Sequence, residues 1–168
     1  MSIYNFSEDK YIKTFDAGEE VRMGSFDLAT GAGGPLSIIR VFTFIKDFTA
    51  LGGSEQMVMK IYPTSNYSNV LYTSSTVSLS DITFDTSDPA KDNFLGYVNF
   101  TFSDQQLNDL STYYPTVTIS NYTPSGDNFY IGLAYDYPDP VYNTLSPTSK
   151  FYDQSIAMQI FTKQARST

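Results

Sequence analysis

The stretch Phe94-Leu95-Gly96-Tyr97-Val98-Asn99-Phe100-Thr101-Phe102 alternates in character. Phe94, Val98, Phe100 and Phe102 fall on one side, with Asn99 and Thr101 on the other. Successive side chains of an extended chain point to opposite faces, so a period of two marks a strand with one buried face. A helix would instead gather apolar residues at spacings of three and four. Working outward, the same period recurs. Gln56–Tyr62 sets Met57, Met59 and Ile61 on one face and stops at Pro63. Tyr113–Ser120 sets Val117 and Ile119 against Thr116, Thr118 and Ser120. Phe129–Tyr135 alternates as Phe129, Ile131, Leu133 and Tyr135, and Gln154–Thr162 as Ile156, Met158 and Ile160.

Other runs are less regular. Leu36–Lys46 is apolar at both parities, through Ile38, Phe42 and Phe44 and through Ile39, Val41 and Ile45. That is the pattern of a strand covered on both faces. Val21–Leu28 and Asn69–Tyr72 are short candidates. In Thr76–Phe84, Val77 and Leu79 give way to Ile82 and Phe84 through a parity switch that predicts a bulge. Turn signals separate the runs: the glycine cluster of Ala29–Pro35, Leu51-Gly52-Gly53-Ser54, the polar Asp85–Asn93 with Pro89, and Asn121–Asn128 with Pro124 and Ser125-Gly126. Ser103–Ser111 reads as one helical turn capped by Ser103. Residues 1–20 read as an N-terminal arm or short edge strand, and 21–168 as a single domain. Eight or nine short strands, no long helix and no fixed repeat period predict an all-β fold, a sandwich or a barrel; the reading adopted is an antiparallel two-sheet β-sandwich of jelly-roll type.

Composition agrees and narrows the function. The 168 residues include 14 Tyr and 13 Phe, and only 17% are charged, against about 25% in an average globular chain. The net charge of −8 is the wrong sign for neutralising phosphates, so no nucleic-acid partner is expected. An anionic membrane surface would repel it too. No stretch approaches the roughly 20 apolar residues of a membrane helix. The start, Met1 to Phe15, has no basic segment followed by an apolar run, so synthesis in a cytoplasm without a signal peptide is expected.

With no His and no Cys, the commonest general base, the thiol nucleophile and the usual zinc, copper and haem ligands are missing. No enzyme activity and no cofactor are expected. A carboxylate pair could still serve glycoside hydrolysis, but nothing in the spacing of Glu19, Glu20, Glu55 and the loop aspartates singles out a pair. Calcium takes oxygen ligands. Asp85, Asp88 and Asp92 share one loop, and Asp136, Asp139 and Asp153 flank another. No calcium-loop motif is present and aspartates also favour turns, so no metal is expected, with Asp85, Asp88 and Asp92 as the calcium candidates. The Gly-rich Ala29–Pro35 lacks the Lys-Ser/Thr of a phosphate-cradling loop. The Asn-x-Ser/Thr matches at Asn5, Asn66, Asn99 and Asn121 read as chance in a chain rich in these residues.

Tyr135-Asp136-Tyr137-Pro138-Asp139-Pro140-Val141-Tyr142 is the most distinctive local feature. Its rings and carboxylates could form a sugar-binding surface or a protein interface, or simply cap one end of the sandwich. Tyr135, Tyr137, Asp139 and Tyr142 are the candidate binding residues.

The order of pieces carries a resemblance. It runs from Val21-Arg22-Met23-Gly24-Ser25-Phe26 through Leu36–Phe44, Met57–Tyr62 and Val98–Ser103 to Tyr113–Ile119 and Asn128–Tyr135. This resembles the jelly-roll modules of tailed-phage particles and of carbohydrate-binding or anchor domains. The resemblance implies a virion structural protein. A capsid decoration or cement protein would bind the major capsid protein or other virion proteins, as a homo-oligomer and commonly a trimer. The alternative is a carbohydrate- or receptor-binding module of a tail or fibre, with a glycan as ligand.

Overall fold

A computed structural model describes residues 12–28, 30–31, 33–87, 94–126, 128–136, 155–156 and 158–163. Among the described residues, twelve strands form two antiparallel sheets. They are β1 (Ile12–Thr14), β2 (Glu20–Arg22), β3 (Phe26–Asp27), β4 (Gly34–Lys46), β5 (Gln56–Tyr62), β6 (Tyr72–Thr73), β7 (Val77–Ser78), β8 (Phe94–Leu107), β9 (Thr112–Ser120), β10 (Tyr130–Asp136), β11 (Ser155–Ile156) and β12 (Met158–Thr162).

Pairing is nested. The first strand pairs β10, β2 and β3 pair β9, β4 pairs β8, and β5 pairs β6 and β7. Cross-links from β10 to β4 and from β9 to β5 then assemble the sheets β1-β10-β4-β8 and β2-β9-β5-β6. Nested antiparallel pairs dealt alternately into two sheets are the connectivity of a jelly roll, as the sequence predicts. The C-terminal strands add a wedge. On β4, β10 occupies the edge from Lys46 to Thr43, and β12 takes over at Val41, opposite Met158. There β11 pairs the departing end of β10.

The core lies between the sheets and follows the alternation. Met57, Met59 and Ile61 of β5 face Val117 and Ile119 of β9, while Ile39, Val41, Ile45, Val98 and Phe100 close the other side; each is at most 1% exposed. Burying one such side chain is worth about 1.5–3 kcal/mol, so the many inward positions outweigh any single surface contact. Thr43 is the polar exception on the inner face, and its hydroxyl donates to the Gly132 carbonyl at 2.8 Å.

Three local expectations are corrected. Ser103–Ser111 is not a helical turn: β8 runs on to Leu107, whose side chain is fully buried. Asp104 takes a left-handed conformation (φ 53°), and the register shifts opposite Leu36 and Ile38. This irregularity returns the chain to strand geometry, so the mixed polarity of the segment is that of a bulged strand. Thr76–Phe84 is not one bulged strand. Val77–Ser78 is followed by a 3₁₀ turn over Leu79–Asp81, then by a bridge from Phe84 to Gly96. The parity switch marks a crossing from β5 of one sheet to the edge of β8 in the other. Lastly, the outer face of β4 is covered only in part: Phe44 is buried, whereas Ile38, Arg40 and Phe42 are intermediate in burial.

Within the expected N-terminal arm, Ile12–Thr14 is paired with β10 and Phe15 is buried in the core.

Candidate functional site

Most of the residues singled out in the Tyr/Pro loop, Tyr137, Asp139 and Tyr142, lie outside the described residues. Tyr135 is in β10, paired with Ile156. Of the calcium candidates, Asp88 and Asp92 also lie outside the described residues. Asp85 accepts the Ser87 amide at 3.0 Å and donates its own amide to the Leu95 carbonyl, the turn-building role aspartate often takes. Among the described residues no three Asp or Glu side chains converge.

The three glutamates among the described residues, Glu19, Glu20 and Glu55, are separated in role. Glu19 accepts the Asp16 amide. Glu55 is buried, and its carboxylate accepts the amides of Gly52 at 2.6 Å and Gly53 at 2.9 Å. Burial pushes its carboxyl up, but these and neighbouring amides outweigh that effect and leave its pKa below the ordinary value. Glu20 faces a cleft on the outer side of β2.

Several tyrosines act as internal fasteners, which accounts for part of the high tyrosine content. The Tyr113 hydroxyl accepts the Asn108 amide at 2.7 Å, and Tyr122 accepts the Ile131 amide at 3.0 Å. Tyr72 donates to the Gln106 carbonyl at 2.6 Å.

Among the described residues, two outward surfaces gather aromatic and charged side chains. The first is the outer face of the β8-β4-β12 sheet. Arg40 sits mid-strand on β4, opposite Asn99 of β8 and Gln159 of β12. Its Nε donates to Asn99 Oδ1 at 2.9 Å. The guanidinium lies 4.4 Å from the Tyr97 ring centroid and 5.6 Å from that of Phe161, diagonal neighbours on the two flanking strands. Ile38 and Phe42 extend the apolar surface along β4. Tyr97 and Phe161 are 48% and 43% exposed, so this aromatic face meets solvent. No carboxylate pairs with Arg40 among the described residues.

The second surface is the outer face of the other sheet, where β2, β9 and β5 lie side by side. Cross-strand pairing sets Arg22 beside Thr116 and Tyr62 beside Tyr114. The loop after β5 folds back over them. Asn66 holds it, with Oδ1 accepting from the Thr64 hydroxyl and from the amide and hydroxyl of Ser68. Next in the chain, Tyr67 takes φ 53°, and its ring packs edgewise on Tyr62 (5.3 Å) and Tyr114 (6.0 Å). Arg22 stacks at 4.3 Å from the Tyr67 centroid. Glu20 Oε1 accepts the hydroxyls of Tyr62 at 2.9 Å and Thr116 at 2.7 Å. Between these groups is a half-open cleft of about 330 Å³, lined by Glu20, Arg22, Tyr62, Asn66, Tyr67 and Thr116. Burial pushes the Tyr67 phenol up to about 12, against the pull of the Arg22 cation. Sequence reasoning had no view of this cleft. Glu20 meets partners 42 and 96 residues away, and the only local sign is the outward parity of Arg22 between Val21 and Met23.

No protein-family model matches the chain, and no curated protein matches its sequence.

Proposed function

We propose that the protein is a non-enzymatic structural component of a phage or similar virus particle, a decoration module that assembles by protein–protein contact. The observation that carries this reading is the aromatic face around Arg40. Outward positions of a sandwich are ordinarily polar. Here Ile38, Phe42, Tyr97 and Phe161 surround one arginine, and no carboxylate among the described residues pairs with it. Aromatic residues and arginine are enriched in protein interfaces, and acidic residues are depleted there. In a chain of net charge −8, such a face favours a partner surface that offers a carboxylate to Arg40. The coat protein of the particle, or a neighbouring copy within a trimer, is the partner proposed. The virion setting rests on the jelly-roll resemblance. Lack of His and Cys supports a role without catalysis.

The test is size-exclusion chromatography with light scattering, joined to mass spectrometry of particles purified from cells that carry the gene. The reading expects the protein on particles, an oligomer in solution or a complex with coat protein, and loss of either association in Arg40→Glu. A strictly monomeric protein absent from every particle fraction contradicts it.

A further inference from the structure

From the geometry of the cleft beside Glu20 we infer a second, separate recognition site, one that binds a neutral pyranose sugar as the terminal or internal unit of an uncharged glycan. The cleft lies on the β2-β9-β5 sheet and is independent of the face around Arg40.

Its chemistry selects the ligand class. Glu20 and Arg22 are two residues apart on one strand, so both side chains point outward from the same face. No ion pair joins them, and each keeps unused hydrogen-bonding capacity. Glu20 Oε1 is occupied by Tyr62 and Thr116, leaving Oε2 as an acceptor towards the cleft. The Arg22 guanidinium lies on the Tyr67 ring, with its N–H donors unclaimed by any acceptor among the described residues. Asn66 uses its carbonyl oxygen three times within its own loop, which leaves its amide N–H₂ to donate. An acceptor flanked by donors matches vicinal sugar hydroxyls, since each hydroxyl both donates and accepts.

Charge and polarity decide against other ligands. One carboxylate and one guanidinium line the cleft, so its charged side chains sum to no net charge. An anionic group drawn to Arg22 would meet Glu20 beside it. An apolar ligand would leave these polar groups desolvated and unpaired, which is costly. The volume, about 330 Å³, is at the lower end of small-molecule sites and suits a mono- or disaccharide. Tyr62 and Tyr67 supply aromatic wall for the C–H edges of a sugar ring. Preorganisation comes from three sources: the Glu20 bonds to Tyr62 and Thr116, the Tyr67–Tyr114 contact and the Asn66 loop bonds. A ligand therefore orders little on binding.

The experiment is a glycan array probed with the whole protein, followed by titration of the strongest neutral sugar into wild type, Glu20→Gln and Arg22→Met. Gln at 20 can still accept from Tyr62 and Thr116 but replaces the free acceptor oxygen with a donor. Met at 22 keeps the apolar stem over Tyr67. Each is expected to weaken binding by roughly tenfold or more, the loss of a hydrogen bond to a charged group, with thermal stability little changed. In wild type, amide and side-chain resonances of Tyr62, Tyr67 and Thr116 are expected to shift on titration, so the test stands even if a variant fails to fold. The inference is overturned if no neutral glycan binds, if only charged glycans bind, or if binding survives both substitutions or shifts resonances elsewhere. None of these outcomes touches the assembly reading, which is measured on Arg40.

Discussion

Phe100 and Tyr97 are three residues apart on β8 and point to opposite faces, so alanine at each position should separate stability from assembly. Phe100 is fully buried in the core, whereas Tyr97 is 48% exposed beside Arg40. An aromatic side chain buries roughly 150–250 Å², worth about 4–6 kcal/mol at about 25 cal/mol per Å². Residual burial in the unfolded chain lowers this, so Phe100→Ala is expected to cost about 3–5 kcal/mol, in line with core phenylalanines elsewhere. Tyr97→Ala loses half-exposed ring area and a cation–π contact of about 0.5–1 kcal/mol, about 1 kcal/mol in all. With a urea slope of about 2 kcal/mol per molar, the unfolding midpoint should fall by about 2 M for Phe100→Ala and by about 0.5 M for Tyr97→Ala. Assembly should rank the pair the other way. At urea-free concentrations where both variants remain folded, Tyr97→Ala should lose association while Phe100→Ala keeps it. Equal midpoint shifts, or a milder effect at Phe100, would refute the assignment of faces on β8.

Other perturbations have equally definite outcomes. Glu55 has a folded pKa below its ordinary 4.5, so its contribution to stability is present above that value and is lost as pH falls through the folded pKa; Glu55→Gln should flatten the acid limb of a melting-temperature profile, and an unchanged limb would contradict this. Leu110 holds φ 57° while 77% exposed; Leu110→Gly should relieve left-handed strain and raise stability by about 0.5–1 kcal/mol in urea unfolding, whereas a loss would argue against that backbone. Tyr67 should ionise near pH 12 in a fast pH jump read by tyrosinate absorbance. Arg22→Met should move it higher still, because the guanidinium favours the phenolate; a lower value in the variant would place Arg22 elsewhere.

The parts of the fold legible in the sequence are those where burial alone decides. Met57, Met59 and Ile61 are inward because one face of β5 meets the core, and the alternation in Phe94–Phe102 follows for the same reason. What escaped was set by distant partners. The chain after Phe102 looks polar and turn-like, yet Asp104 sits in a bulge and pairs with Lys163 at 2.8 Å, a partner 59 residues away. Around Leu79 the parity change looks like a bulge, because a single sequence does not show that the chain leaves one sheet for the other. The cleft was hidden for the same reason: Glu20, Tyr62 and Thr116 come from three strands adjacent only once the sheet forms. Arg40 carried a weak local signal, a lone charge inside the apolar run Leu36–Lys46. Alternation of Ile39 and Val41 with Ile38, Arg40 and Phe42 then divides that run into a core face and a solvent face.

The proposed assembly face depends on β4 lying between β8 and β12 with Val41 inward and Arg40 outward. Interstrand nuclear Overhauser contacts from Val41 test this directly in the intact 168-residue chain. The fold predicts that the Val41 backbone is close to both Val98 and Met158, with its methyls in the core and Arg40 contacting Tyr97 and Phe161. If Val41 contacted only one flanking strand, or showed sequential contacts of helical spacing, the order of this sheet and the assembly face built on it would be contradicted.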